Sequence, residues 1–151
     1  NRQMMEIAPF DWSTINNGCG FDVIIGNPPY VNTEGMHALL PSAEVEIYKK
    51  KYKTSHKQFD KYFIFIEQAI NKINENGLVC YIVPNKFFKI GAGEKLRNLI
   101  AKERMLVSLD DFGDAQLFED KTIYSSIILL SKAKQTSFVY SSVDSAGQEK
   151  K

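Results

Sequence analysis

Cysteine, histidine and tryptophan are scarce in this chain: two, two and one among 151 residues. Cys19 and Cys80 form no C-x-x-C pair and share no ligand spacing with His37 or His56, which argues against a structural metal site and a disulfide framework. That usage fits a reduced cytoplasm. The apolar runs are about strand length, far short of the ~20 residues of a membrane-spanning helix, and no charged-then-apolar leader opens the chain. Charge of one sign is also missing, since the formal net charge is +1, so the overall balance does not announce a nucleic-acid binder. Finally, no glycine-rich turn follows a strand. Gly91-Ala92-Gly93 is a lone G-x-G on a connection, with no helix-entry glycine in register. Beginning on Asn rather than Met, the chain is expected to be a piece of something longer.

What is present is a core. Hydrophobic residues make up 44% and include ten Phe and seven Tyr, enough for one globular unit. Residues 1–20 read as irregular, anchored by Pro9, Phe10 and Trp12. Phe21-Asp22-Val23-Ile24-Ile25 reads as a short, buried, β-branched strand, stopped by Gly26 and the prolines after it. The stretch from Val31 to Gln58 is a long polar connection with a short helix opened by Ser42, and long connections tend to be functional. From Phe59 the period changes. Phe59, Tyr62, Phe63, Ile66, Ala69, Ile70 and Ile73 share a helical face, and Gly77 is placed to end that helix.

Leu78 to Val83 is then an apolar strand closed by Pro84. A second helix is expected from Gly93 to Arg104, with Leu96, Leu99 and Ile100 inward. Strands follow at Met105–Leu109, Ile123–Leu130 and Phe138–Val143, before a Ser/Gly/Lys tail that should fray. Alternating strands and helices specify an α/β fold with a mixed, mostly parallel sheet. The strands at 105 and 123 are joined without a helical pattern, so they should run antiparallel.

Asn27-Pro28-Pro29-Tyr30 carries the chemistry. It falls just beyond the carboxyl end of a strand, where α/β sheets bind ligands. Asn27 is held extended by the following proline, and the two prolines fix their own φ and donate no N–H. The turn is therefore stiff and rich in acceptors. An exocyclic aromatic amine, or a side-chain amide, is a poor nucleophile because its lone pair is delocalised. Two acceptors on its N–H groups, the Asn27 side chain and the Pro28 carbonyl, pull it toward tetrahedral geometry and stabilise the growing positive charge, an effect worth ~10²–10³ in rate. Tyr30 adds a ring on which a base can stack, for ~1–3 kcal/mol.

Ile25-Gly26-Asn27-Pro28-Pro29-Tyr30-Val31 resembles the catalytic motif of DNA adenine-N6 methyltransferases of the Eco57I and TaqI restriction–modification type. Asp60-Lys61-Tyr62-Phe63, then Gly77 through Pro84-Asn85-Lys86-Phe87-Phe88, then Asp111-Phe112-Gly113 through Leu117-Phe118 and Thr122-Ile123-Tyr124-Ser125, resemble that family's later blocks in order. The resemblance implies a partial Rossmann-like methyltransferase fold, with residues 1–134 as its catalytic half and 135–151 as a last strand and tail. It implies methyl transfer from S-adenosylmethionine to an adenine flipped out of double-stranded DNA. Asn27, Pro28, Pro29 and Tyr30 would form the catalytic turn, with Asn27 and Pro28 also reaching the cofactor. Tyr30, Phe118 and Lys86 would meet the substrate. The family's main cofactor segment has no counterpart here.

Other readings of the same residues stand beside these. Protein-glutamine and RNA-base methyltransferases also use this tetrapeptide, and a fragment without the cofactor half could serve as a non-catalytic DNA- or partner-binding piece. Phe118 also suits a core. Lys49, Lys50, Lys51, Lys53, His56 and Lys57 suit a solvated face as well as phosphate contact, and Lys86 and Lys89 suit a solvated turn. His37 reads as a surface residue. Asp110, Asp111 and Asp114 fit no calcium or two-carboxylate spacing and read as turn formers. The catalytic strand is expected at an open sheet edge, covered by the first 20 residues or by a second copy in a homodimer, and the remainder of the parent methyltransferase is expected as a partner.

Overall fold

The computed structural model describes residues 18–116, 124–143 and 149–150. The expected anchors Pro9, Phe10 and Trp12, and the candidate Phe118, lie outside them. The chain runs β1 (Phe21–Gly26), α1 (Thr33–Leu39), α2 (Ser42–Lys51), α3 (Lys61–Lys72), β2 (Ile73–Pro84), α4 (Glu94–Lys102), β3 (Leu106–Gln116), β4 (Tyr124–Ser131), β5 (Val139–Val143) and β6 (Glu149–Lys150). These strands form one sheet in the order β1-β2-β4-β3-β5-β6. The pairs β1–β2 and β3–β5 are parallel and the other three antiparallel, so β1, β2, β3 and β5 all point one way. The mixed, mostly parallel α/β sheet expected from the sequence is thus present, including the antiparallel β3–β4 pair. No helix among the described residues is long and apolar enough to cross a membrane.

The core sits between β2 and α3. Tyr62, Phe63, Ile66, Ala69 and Ile70 recur every three or four residues along α3 and are buried, as an amphipathic helix against a sheet requires. They meet Val79, Tyr81 and Val83, alternate residues of β2 on one face. On α4, Leu96 and Ile100 are buried, and Leu99 packs partly against the same core. Beneath α2, the buried Glu67 carboxylate accepts from the Lys53 amide at 3.0 Å, the Thr54 amide at 2.9 Å and the Thr54 hydroxyl at 2.8 Å. That carboxylate satisfies a loop that would otherwise bury unpaired donors.

Four local expectations are corrected. First, β1 is not buried. Val23 is 57% and Ile25 77% exposed, because β1 ends the sheet order and α3 lies over β2; only Ile24 packs on the core. Second, Gly77 does not end a helix. The helix stops at Lys72, and Ile73 already pairs with Phe21, two residues of β1 then spanning five of β2 before Val23 meets Leu78. Gly77 lies in that irregularity, where a Cβ would come within 2.7 Å of both Ile73 Cβ and the Phe21 carbonyl oxygen. Third, Asp110 and Asp111 are strand residues, and Asp111 is buried. Fourth, the end of the tail pairs with β5 through Glu149 and Lys150. The Val31–Gln58 connection holds the helix opened by Ser42 and, ahead of it, α1, whose N-cap Asn32 accepts from the Gly35 amide at 2.8 Å.

Candidate active site

Because β1 and β2 are parallel, with Gly26 level with Tyr81, the chain leaves both strands at the same rim of the sheet. Asn27-Pro28-Pro29-Tyr30 departs from β1 there, and a short 3-10 turn, Asn85–Phe88, departs from β2. Pro28 is buried, which seats the turn, while Asn27 and Pro29 are exposed. No described residue donates to the Asn27 side chain or to the Pro28 carbonyl. Among the described residues neither acceptor is engaged, and the prolines hold both at a stiff position.

Tyr30 is half-buried and held at its far end, its hydroxyl donating to the Ile82 carbonyl at 2.8 Å. Its ring meets Tyr62 edge-on, with centroids 6.1 Å apart at 82°. Tyr62 is fully buried and its hydroxyl donates to the Pro84 carbonyl at 3.4 Å. Burial pushes the Tyr30 phenol up from its ordinary value. Burial, aided by the nearby Asp60 carboxylate, pushes Tyr62 up much further. Both rings stay neutral donors across the physiological range, so the frame around Tyr30 does not change with pH there.

Of the sequence candidates, the structure brings together the tetrapeptide and the Pro84–Phe88 turn. The Lys86 ammonium does not project alone. It lies 3.0 Å from Asp60 Oδ2 and 3.2 Å from Oδ1, while its side chain stays 46% exposed. Lys89 lies over the Phe88 ring. In the lysine run, Lys49 pairs with Glu46 and Lys51 lies over Tyr52, and these side chains are exposed.

Three residues not singled out as site residues belong to this rim. Asp60 binds Lys86. Asn85 donates to Asp111 Oδ1 at 2.8 Å and to the Gly113 carbonyl at 3.2 Å, and the Gly113 amide returns a bond to Asp111 at 3.0 Å. This buried Asn85–Asp111 clip ties the middle of β3 to the end of β2, with Gly113 in the left-handed region at φ 55°. A carboxylate at a strand end and an Asn after Pro84 were visible in the sequence, but nothing local pairs residues 26 apart.

Comparison with known proteins follows the same lines. The model of the Eco57I restriction-modification methylase family matches residues 2–118. The type II restriction enzyme and methyltransferase RM.Eco57I of Escherichia coli is 44% identical over 137 residues, which is 91% of this chain and 13% of that protein. The chain therefore spans only a small part of the relative it matches. A Listeria monocytogenes protein assigned as a class I S-adenosylmethionine-dependent methyltransferase superposes with a TM-score of 0.61 at 20% identity, over 85% of this chain and 38% of that one. A nuclease-deletion mutant of the type ISP restriction-modification enzyme LlaGI, solved with a DNA substrate mimic, superposes at 0.60 and 15% identity, over 83% and 14%. The fold of these structures is the fold described above.

Proposed function

Because this chain belongs to the Eco57I restriction-modification methylase family, we propose that it carries the methyl-acceptor side of a site-specific DNA adenine-N6 methyltransferase. The observation behind this reading is a pair of acceptors, Asn27 and Pro28, that no described residue engages, beside a tyrosine whose hydroxyl is pinned to Ile82. A planar amine fits there. Its two N–H groups donate to the Asn27 side-chain oxygen and the Pro28 carbonyl, and its ring lies on Tyr30. As the nitrogen becomes tetrahedral those bonds strengthen, so they stabilise the transition state more than the ground state. No general base is needed before the N–C bond forms: the sulfonium's S–C bond would break with a neutral thioether leaving, and the methylated nitrogen, then cationic, would lose its surplus proton to water. Pro29 contributes by stiffening the turn.

The adenine reaches this turn only after leaving the duplex, which costs a few kcal/mol and makes double-stranded DNA the macromolecular substrate. S-adenosylmethionine, when bound, supplies a methyl group on a sulfonium as the electrophile. Among the described residues Asn27 and Pro28 at the rim would border its methyl group, and its nucleoside would be held by the remainder of the methyltransferase. A cavity of about 820 Å³ runs along the exposed β1 edge, lined by Val23, Ile25, Lys51, Tyr52, Phe65 and Lys72. That remainder is the proposed cover of this edge, a homodimer through it being the competing occupant. Phe118 is proposed for the second face of the base.

The test is transfer of labelled methyl from S-adenosylmethionine by the complete polypeptide, offered unmodified duplex DNA and, separately, a release-factor protein with its glutamine acceptor. Label is expected in the DNA. Label in the protein alone would overturn the assignment of substrate while keeping the planar-nitrogen chemistry.

A further inference from the structure

We infer that Asp60 and Lys86 are positioning residues for the target base, acting through Tyr30; this rests on the reading of Asn27–Tyr30 as the amine clamp. A stacking ring serves catalysis only if its angle is set. Tyr30 is set at its tip by Ile82 and at its edge by Tyr62. Its other constraint is the backbone that follows. The Val31 carbonyl accepts from the Lys61 amide at 2.8 Å, Asn32 forms an isolated antiparallel bridge with Asp60, and the Thr33 hydroxyl donates to the Phe59 carbonyl at 2.8 Å. Residues 31–33 are thereby stitched to residues 59–61.

Asp60 is the node of that seam. It precedes α3 but its side chain makes no cap bond to the helix. Its carboxylate is 4% exposed, and Lys86 is its ion-pair partner among the described residues. Lys86 stands two residues beyond Pro84, whose carbonyl takes the Tyr62 hydroxyl. The ion pair therefore closes a loop running from Tyr30 through Asp60 and Lys86 to the end of β2 and back through Tyr62. Removal of Lys86 leaves an uncompensated carboxylate in a buried seam, which is the costly arrangement, whereas removal of the Asp60 charge releases the half-exposed Lys86 and the turn that carries it; either way the seam loses its tie to the end of β2. The Tyr30 ring shifts with it.

The experiment uses the complete polypeptide and a duplex bearing its own methylation site, with Asp60→Asn, Lys86→Met, the double variant and Lys86→Arg. Turnover, duplex affinity and the fluorescence of 2-aminopurine at the target position are measured. Each single variant is expected to lose roughly ten- to a hundredfold in kcat, the range that follows from small misplacement of a reacting group. Duplex Kd stays within about twofold, as expected for groups that make no DNA contact. The 2-aminopurine signal changes in both singles, the double variant is no worse than either, and Lys86→Arg recovers most of the rate. The inference is overturned if Lys86→Met weakens duplex binding while Asp60→Asn keeps wild-type kcat, because Lys86 then contacts DNA directly. Additive losses overturn it too. An Asn27→Ala control separates the two levels: if that variant turns over normally, the clamp itself is wrong, whatever the ion pair does.

Discussion

Replacement of Asn27 by alanine is expected to lower kcat for methyl transfer by at least ~10²-fold, the cost of one preorganised polar group aimed at developing charge. The fold should not notice. Asn27 is exposed and bonds to no described residue, so thermal stability should change by less than ~0.5 kcal/mol, as at surface positions generally. Duplex affinity should also hold, because the interaction grows only as the nitrogen acquires positive charge. A fall in kcat with Kd and Tm unchanged is the pattern of a group used in the transition state. Asn27→Asp is informative beside it. The carboxylate keeps an acceptor but, without the amide, sits differently against the amine, so it should recover part of the rate and not all of it.

The second large effect is structural and lies in Gly91-Ala92-Gly93. A Cβ on Gly93 would sit 1.9 Å from the Phe87 carbonyl oxygen, 2.7 Å from its carbon and 3.0 Å from Arg97 Nη1. That same carbonyl accepts from Arg97 at 2.6 Å, and Phe87 is buried with its ring edge-on to Tyr62. Gly93→Ala must therefore separate the start of α4 from the turn after β2. Overpacking costs typically ~1–3 kcal/mol and loss of a bond to a charged donor a further ~1.5–3. A total of about 3 kcal/mol or more is a large part of a typical ~5–15 kcal/mol stability. Gly91→Ala meets nothing within 4 Å at an ordinary φ, so it should stay within about 0.5 kcal/mol of the parent. Denaturant midpoints of the two variants, measured in parallel, check the contrast. Equal stabilities would contradict it.

These two glycines also show where sequence reading stops. The G-x-G pattern was readable, and so was its place on a connection between β2 and α4. What Gly93 does depends on a carbonyl six residues away that local pattern does not place. The same limit explains β1. Its place at the sheet edge was expected and is found, but a β-branched apolar run suits a buried strand and an exposed one equally, so the exposure of Val23 and Ile25 was not legible. Gly77 followed a helical pattern and so resembled a cap, but tertiary pairing of Ile73 with Phe21 began the strand four residues earlier. Asp111 had the look of a turn former until its partner Asn85 was in view. By contrast, the α3 face and the antiparallel β3–β4 pair follow from periodicity and connection length and were legible. The tetrapeptide was legible as well, since proline restricts the backbone whatever surrounds it. The Asp60–Lys86 pair spans 26 residues and left no local trace.

The most direct measurement is the identity of the methylated nucleoside. Duplex DNA treated with the complete polypeptide and S-adenosylmethionine is digested to nucleosides and resolved by mass spectrometry. A planar amine gripped by Asn27 and Pro28 with its ring on Tyr30 leads to N6-methyldeoxyadenosine, lost in Asn27→Ala. Methyl found on a ring carbon, or on adenine with Asn27→Ala fully active, would contradict it.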